Sequence, residues 1–412
     1  MQVLPQFYEV IGNTIITLAV DIQKGDIKLS KDKYIMNIIA PFLEELYEGA
    51  LMDFETLRFI YAPRLNIIGY QAILGCYALY QLVAQPKVVC KEAFQYCGAL
   101  TKVDLSQVEE FGEDCLDSCL ITQIINKRCK RLDKSIFGQS GNQCLWEVDF
   151  EVLEQFNFSQ IKNCESLQYL RFPALQEYEG DFDESWSVST DSAVLSKIAQ
   201  KTHDRTTIPT FQRPEKCFSL ESSQSIRVLI LEEATEVPKD CFKQRYLLQF
   251  VSCQKVKIVK ESGFEGCFSL QTVRSQALQV VECRGFGSCI KLAMIDLDNV
   301  IELQKESFDN CNSLVSLKMN KLKSIPKICF QYCPALRQVV AKQLENIEED
   351  AFGAEYMVNI VCNNQLNPTQ SQGWKHGKEE KLQEILISQF QERKSFIKWL
   401  NIAITRSMRI KQ

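Results

Sequence analysis

Hydrophobic positions recur along the C-terminal half of the chain with a constant period of 22 residues. In the four central copies a phenylalanine is followed by Cys at +3, Leu at +6 and an aliphatic residue at +9. A fixed period in this range is typical of a solenoid, in which each repeat packs against its neighbours. The phenylalanines that anchor the pattern are Phe242, Phe264, Phe286, Phe308, Phe330 and Phe352.

Each repeat also contains a short stretch in which apolar and polar residues alternate. Ile295-Asp296-Leu297 and Leu317-Lys318-Met319 are two examples. A period of two indicates a strand with one buried face. Strands that are 22 residues apart are too distant for hairpins, so we expect them to pair in parallel and in register. The remaining residues of each repeat are expected to form a loop or a short helical segment that ends near the phenylalanine.

The same register extends back almost to the first residue. Its earlier anchors follow one another at spacings of 21 to 24 residues, and they are Phe7, Leu29, Leu51, Ile73, Phe94, Leu116, Phe137 and Ile161. Two extra residues near Phe137 fit a loop insertion. The chain is therefore predicted to form one elongated array.

The motif L-x-x-V-x-L followed by A/C-F-x-x-C resembles the leucine-rich repeat, specifically the BspA-like class of bacteria and flagellate protists. The resemblance covers Phe7 to about Val361, with an interruption, and is most specific over 242–361. It implies a curved solenoid used for adhesion or protein binding. The expected fold is a leucine-rich-repeat array of about 15 units with a parallel β-sheet on the concave face, plus a C-terminal α-helix.

The pattern divides the chain into five parts. Degenerate repeats occupy 1–180, an irregular insert or decayed repeat occupies 181–214, regular 22-residue repeats occupy 215–362, a linker occupies 363–378, and an amphipathic basic helix occupies 379–412. A long insert of this kind is either functional or disordered, and both interpretations stay open.

The predicted C-terminal helix has apolar residues at helical spacing, among them Leu382, Ile385 and Leu386. From Arg393 to Gln412 it carries six basic residues and no acidic one. It could cap the last repeat, bind a partner helix or a calmodulin-type groove, or lie on an anionic membrane. We therefore expect that this helix could contact a peripheral membrane surface or a partner helix.

Composition narrows the possible partners and the compartment. A net charge of −5 argues against a broad nucleic-acid surface. The first residues lack a basic segment, and no run of 18 apolar residues occurs, so neither a signal peptide nor a transmembrane segment is expected. We expect a cytoplasmic protein, with the extracellular surface as the alternative.

Eight of the 18 cysteines occupy one repeat position. Residues at one repeat position stack, so these cysteines are expected to form an interior ladder of small apolar side chains. In the cytoplasm they would be reduced. Stacked neighbours would nevertheless lie near disulfide distance, so bridging stays open on spacing alone.

Catalytic and metal chemistry find little support in the sequence. The chain has two histidines, His203 in the insert and His376 in the linker, and both are expected to be solvated. The cysteine spacings follow the repeat rather than a zinc motif, and Arg284-Gly285-Phe286-Gly287 lacks the frame of a phosphate loop. We therefore expect no enzyme, no cofactor and no metal.

The residues between the buried strand positions are the best candidates for function. They include aromatic and aliphatic groups that are typical of interface anchors. Some of them could instead be covered by the insert or the tail, or be ordinary exposed residues. The expected function is a non-catalytic protein–protein interaction scaffold that binds through the concave face, and the alternative is a surface adhesin or receptor-like protein that binds host or extracellular proteins. The candidate protein-binding residues are Phe59, Tyr61, Tyr169, Arg171, Ile230, Phe250, Arg274, Asp296 and Lys318.

Overall fold

The structure is a computed structural model, and the described residues form a parallel β-solenoid of about 14 turns. It confirms the predicted repeat array. The described residues are 8–28, 35–132, 134–139, 141–203, 211–212, 226–353, 357–366 and 373–380. The predicted C-terminal helix therefore lies outside them, apart from 379–380.

The strands that carry the alternating motif pair in parallel from one turn to the next, as in Val251↔Val273. In the first part of the chain these strands are Thr14–Thr17, Asn37–Ile39, Phe59–Tyr61, Gln81–Val83, Gln123–Asn126, Glu147–Phe150, Tyr169–Arg171, Ser187–Ser189 and Lys201–His203. In the second part they are Phe211–Gln212, Val228–Ile230, Phe250–Ser252, Thr272–Arg274, Met294–Ile295, Ser316–Lys318, Gln338–Val340, Val358–Val361 and Trp374–His376. We call them the long-strand sheet.

The long-strand sheet begins with a hairpin that the period did not predict. Tyr8–Ile11 pairs antiparallel with Thr14–Thr17 across the two residues Gly12 and Asn13. Gly12 has a φ of 60°, which suits the first position of a type II′ hairpin turn. The hairpin supplies a partner for the outer edge of the first parallel strand, an edge that would otherwise be open to pairing with another chain.

A second strand in each turn builds a second parallel sheet on another side of the solenoid. The repeat predicted only a loop or a short helical segment here. These short strands are Asp21–Ile22, Glu45–Leu46, Ile67–Ile68, Val88–Val89, Glu110–Phe111, Gln155–Asn157, Glu177–Glu179, Glu236–Val237, Ile258–Val259, Val280–Val281, Glu302–Leu303, Ser324–Ile325 and Asn346–Ile347. In most of them the second residue is buried in the core, as Val259 and Val281 are, whereas Tyr178 of Glu177–Glu179 is exposed.

The third side of each turn consists of tight turns around the anchor residue. Within the described residues there are only two short 3₁₀-helices, Phe158–Ile161 and Leu195–Lys197, so of the two expected alternatives, a loop or a short helical segment, the loop occurs at most anchors. A residue with positive φ stands two positions before each anchor of the regular repeats, and these residues are Asp240, Ser262, Arg284, Glu306, Ile328 and Asp350. The left-handed conformation lets the chain reverse within the 22-residue period.

The phenylalanine anchors stack into a continuous column in the core. Adjacent rings from Phe242 to Phe352 have centroids 5.2 to 5.6 Å apart and are tilted by at most 14°. The spacing is close to the separation of neighbouring strands, which the backbone ladder imposes. Every ring in the column is buried. The repeated Phe is thus a packing residue of the core.

The array does not continue as one elongated stack. One hydrophobic core runs from Ile15 to Leu195 and a second runs from Ile226 to Trp374. We call 8–203 block one and 211–380 block two. Among the described strands, Lys201–His203 and Phe211–Gln212 do not pair with each other. The single stack expected from the period is therefore two stacks.

The two blocks lie side by side and run in opposite directions. Early turns of block one contact late turns of block two, where Met36 and Ala78 pack against Val315 and Ala335. Late turns of block one contact early turns of block two, where Leu120, Cys144 and Trp146 pack against Tyr246 and Leu247. The order of the contacts is thus inverted between the blocks, as in a chain that folds back on itself.

Candidate protein-binding face

The nine candidate residues lie on or beside the long-strand sheet, but two of them are covered. Phe59 and Tyr169 are 5% and 3% exposed. Phe59 faces a cavity between the two blocks. Burial raises the pKa of Tyr169. The expectation that both aromatic side chains are accessible is therefore wrong. Phe59 is covered because the two blocks pack against each other at this part of the sheet, which a single stack would leave open.

Arg171 is held by two carboxylates of its own block. Its guanidinium lies 3.0 Å from Asp149 Oδ1 and 2.7 Å from Asp191 Oδ2. Asp149 precedes Arg171 by one turn, and Asp191 belongs to the stretch where the insert was predicted. Desolvation raises the pKa of Asp191, but the hydrogen bonds from Ser189 and Arg171 lower it. The net effect is a lowered pKa. The side chain is thus fixed in place and presents a partly neutralised charge.

Three further candidates form a charged strip across block two. Arg274, Asp296 and Lys318 stand one turn apart, and their side chains are 53%, 45% and 59% exposed. Arg274 Nη1 lies 3.8 Å from Asp296 Oδ1. At such exposure this ion pair contributes little to stability, so the three charges are available to another molecule.

The remaining candidates are partly accessible apolar groups. Tyr61 of block one and Ile230 and Phe250 of block two are half-buried in the long-strand sheet. Ile230 and Phe250 belong to the two strands that come directly before Arg274. Block two therefore joins an apolar end to a charged end along one face.

The segment that follows the last turn returns over this sheet. After the strand Trp374–His376, the backbone N–H of Glu380 donates to Gln338 Oε1 at 2.7 Å, and Gln338 Nε2 donates to the Glu380 carbonyl at 3.1 Å. Glu379 lies 3.6 Å from Lys318. The first two residues of the segment predicted as the C-terminal helix, Glu379 and Glu380, therefore border the charged strip.

The cysteine ladder has a polar function that the small-apolar interpretation missed. Seven of the eight ladder thiols donate to the carbonyl of the anchor residue one turn earlier, at 2.9 to 3.2 Å. These pairs are Cys76–Leu51, Cys97–Ile73, Cys119–Phe94, Cys267–Phe242, Cys289–Phe264, Cys311–Phe286 and Cys333–Phe308. All 17 cysteines of the described residues are free thiols. Burial raises the pKa of Cys267 to about 12, so the thiol keeps the proton that it donates.

Each of the two histidines is the last residue of a strand in the long-strand sheet. His376 is exposed, with Nε2 3.3 Å from the Cys362 carbonyl. His203 ends the strand Lys201–His203. Over the ranges that the structure covers, no group of three or more His, Cys, Asp or Glu side chains is arranged to hold a metal ion.

The contacts that join the blocks come from residues that the period did not single out. They stand four to eight positions after the anchors, on the flank that leads into the long strand, and we call this the pre-strand flank. Arg337 Nη2 lies 2.9 Å from Glu55 Oε2, and Arg58 Nη2 donates to the Ser313 carbonyl at 2.7 Å. Gly98 sits so close to Ile290 that a Cβ there would lie 2.9 Å from its side chain.

Comparison with known families decides what kind of repeat this is. The family described as BspA type leucine rich repeat region (6 copies) matches residues 33–144, 66–181 and 235–359, together more than half of the chain. The chain belongs to this family. Its BspA-type repeats lie in both blocks, so the fold-back joins two stretches of the same repeat and not two unrelated domains. The resemblance seen in the sequence is thereby confirmed.

Solved structures of bacterial leucine-rich-repeat proteins are similar to this BspA-type protein over most of its length. A Bacteroides ovatus leucine-rich repeat protein is 17% identical over 90% of this chain and 98% of its own, with a TM-score of 0.31. Pneumococcal vaccine antigen PcpA is 12% identical over 87% and 83%, with a TM-score of 0.31. A Faecalibacterium prausnitzii leucine rich cell surface protein is 13% identical over 93% and 94%, with a TM-score of 0.24. At such values these structures say nothing about what this chain binds.

No curated protein matches the BspA-type chain. Within the described ranges, no helix has the length and the hydropathy that a membrane span requires.

Proposed function

We propose that this BspA-type repeat protein is a non-catalytic scaffold that binds a partner protein through the long-strand sheet of block two. The exposed strip of Arg274, Asp296 and Lys318 carries this proposal, because three neighbouring turns present charged groups whose ion pairs are too exposed to contribute much to stability. The half-buried Ile230 and Phe250 supply an apolar end to the same face. Tyr61 and Arg171 present a second, smaller set on block one.

The chemistry of the face favours a partner that carries charges of both signs. A basic, an acidic and a basic residue follow one another at the separation of adjacent strands, which is about 4.8 Å. A rigid sheet loses little conformational entropy on binding, so modest contacts in register can sum to useful affinity. Charge complementarity then selects the partner and speeds its association.

Affinity capture from a lysate of the source cells, with quantification by mass spectrometry, tests the proposal. We expect a reproducible set of proteins to be recovered with the wild type. The triple variant Arg274→Ala, Asp296→Ala, Lys318→Ala should lose at least tenfold of that recovery. The proposal fails if the triple variant recovers the same proteins in the same amounts.

A second triple variant controls for the loss of charge. Lys239→Ala, Glu261→Ala and Lys257→Ala also remove two basic groups and one acidic group from exposed positions. These positions belong to the turn side and the approach to the short strands. Thermal unfolding of both variants should match that of the wild type. Equal loss of binding in the control would show a general effect of charge and contradict a defined face.

We also propose that the protein works in a reducing compartment, which favours a cytoplasmic scaffold over a surface adhesin. The thiol-to-carbonyl hydrogen bonds of the ladder support this proposal, because a disulfide would remove the donors. Counting thiols in the denatured protein, purified from its source without reductant, should give 18 free groups. Oxidised ladder cysteines would favour the adhesin.

A further inference from the structure

A cavity of about 180 Å³ lies between the two blocks. Block one contributes Met36, Phe59 and Tyr80 to its wall, and block two contributes Ala293 and Met294. Most of the surface inside is apolar. Native interiors are close-packed, so an opening of this size at an otherwise tight junction is unusual.

The polar groups of the wall are strongly biased in charge. Two of the lining residues are cationic, Arg58 and Lys291, and none of the lining residues is acidic. Arg58 is anchored at the wall by its hydrogen bond to the Ser313 carbonyl. The cavity is thus apolar in its body and positive in its charged groups.

Lys291 is the more unusual of the two cations. It is 2% exposed, and its Nζ donates to the carbonyl of Leu120 in block one. No carboxylate within 4.0 Å of Lys291 is found among the described residues, although many exposed lysines have one. Burial lowers its pKa. Burying an ammonium group without a counter-charge is costly, so a position that keeps one is a candidate functional site.

We propose that this cavity binds a small carboxylate with an aromatic or branched apolar body. The apolar walls would take the body, and Lys291 and Arg58 would offset the negative charge of the carboxylate. An apolar cavity of about 150 Å³ is known to take up benzene, so the volume suits a ligand of the size of phenylacetate. The site is separate from the charged strip, and it does not depend on the proposed protein-binding function.

Calorimetric titration of the full chain with phenylacetate, 2-phenylacetamide and acetate tests the proposal. We expect phenylacetate to bind with a Kd on the order of 0.1–1 mM, as small ligands of this size do. The neutral amide should bind at least tenfold more weakly because it lacks the charge. Acetate should not bind measurably because it lacks the apolar body. Absence of saturable phenylacetate binding overturns the proposal and identifies the cavity as a packing void.

Two variants assign the binding to this cavity. Lys291→Met keeps the apolar stem and removes the charge, so phenylacetate should bind at least tenfold more weakly while the amide changes less than twofold. Ala293→Phe fills the cavity from the side of block two and should abolish both. If Ala293→Phe lowers the unfolding temperature, Ala99→Phe is used in place of that variant, because it fills the cavity from the side of block one.

Lys318→Met is the matched control, because it removes an exposed lysine of the long-strand sheet by the same change. It should leave the binding of phenylacetate within twofold of the wild type. Unchanged phenylacetate binding in Lys291→Met, or in the filled variant, overturns the proposal. An equal loss of phenylacetate binding in Lys318→Met and in Lys291→Met also overturns the proposal.

Discussion

At the scale of single residues, the cysteines of the ladder are hydrogen-bond donors as well as small core residues. The carbonyl of an anchor accepts a backbone N–H from three residues further on, as Phe264 does from Cys267, and it faces the thiol of the next turn as well. A carbonyl oxygen has two lone pairs, so the thiol one turn later adds a second hydrogen bond to the same buried group. Cysteine fits because it combines a small, mostly apolar volume with one weak donor.

Substitution of Cys289 tests this interpretation. Cys289→Ala removes the donor to the Phe264 carbonyl, whose sulfur–oxygen distance is 3.2 Å, and should lower the free energy of unfolding by about 1–2 kcal/mol. Cys289→Ser keeps a donor and should be at least as stable as the alanine variant in urea unfolding. Cys283→Ala, at a half-exposed position off the ladder, should be nearly neutral. A serine variant clearly less stable than the alanine variant would show that only apolar volume matters.

Asp309 gives the turns a dependence on pH. Desolvation, with a smaller contribution from Glu306, raises its pKa to about 6, and its Oδ1 has no hydrogen-bond partner among the described residues. The folded protein therefore binds this proton more tightly than the unfolded chain does. The ionised carboxylate of Asp309 therefore destabilises the folded protein. This loss of stability is small below about pH 4 and grows with rising pH until the pH passes 6.

The variant Asp309→Asn should remove this dependence. Asp309 is partly exposed, so after allowance for solvent screening we expect the variant to be more stable than the wild type by about 1 kcal/mol at pH 7. The difference between the two proteins should be smaller by the same amount at pH 4. Urea unfolding at both values measures it. A constant difference from pH 4 to pH 7 would exclude a raised pKa at this carboxyl.

At the scale of elements, the long strands and the anchors could be predicted because both follow directly from the period. Val273 and Leu317 alternate with polar neighbours, and one face of the strand has to be buried. The short strands were missed because two residues such as Val280–Val281 are too few to show alternation. The turns were missed because a left-handed residue can be almost any type, as Arg284 and Glu306 show.

Ile328 is the most strained of these turn residues. It is β-branched and has a φ of 59°, where a side chain of this kind costs roughly 1–2 kcal/mol. Asparagine tolerates this conformation, so Ile328→Asn should raise the free energy of unfolding by about 0.5–1 kcal/mol. Ile328→Val is β-branched as well and should show no gain. An asparagine variant that unfolds more easily than the wild type would mean that side-chain packing outweighs the strain.

At the scale of the whole molecule, the fold-back decides which candidate residues are accessible. It covers Phe59 and leaves Arg274 exposed, although both stand in the long-strand sheet. A signal for it does exist in the sequence: Tyr246, Phe268 and Ile290 are apolar at one position of the pre-strand flank, 22 residues apart. The sequence shows that such an apolar row has to be buried, but it does not show which part of the molecule packs against it.

The ion pair between Glu55 and Arg337 is the contact through which the fold-back can be tested most directly. These residues are 282 positions apart in sequence, and they lie 2.9 Å from each other with side chains that are 18% and 11% exposed. Only a chain in which the early turns of block one meet the late turns of block two brings them together. A coupling energy between them therefore measures the packing itself.

The measurement is a double-mutant cycle in urea unfolding with Glu55→Ala, Arg337→Ala and the double variant. If the blocks pack as described, the two substitutions should be coupled by about 1–3 kcal/mol, since the pair is largely removed from water. The exposed pair Lys255 and Glu233, within block two, serves as the control and should couple by at most about 0.5 kcal/mol. Additive effects of Glu55→Ala and Arg337→Ala would contradict the fold-back.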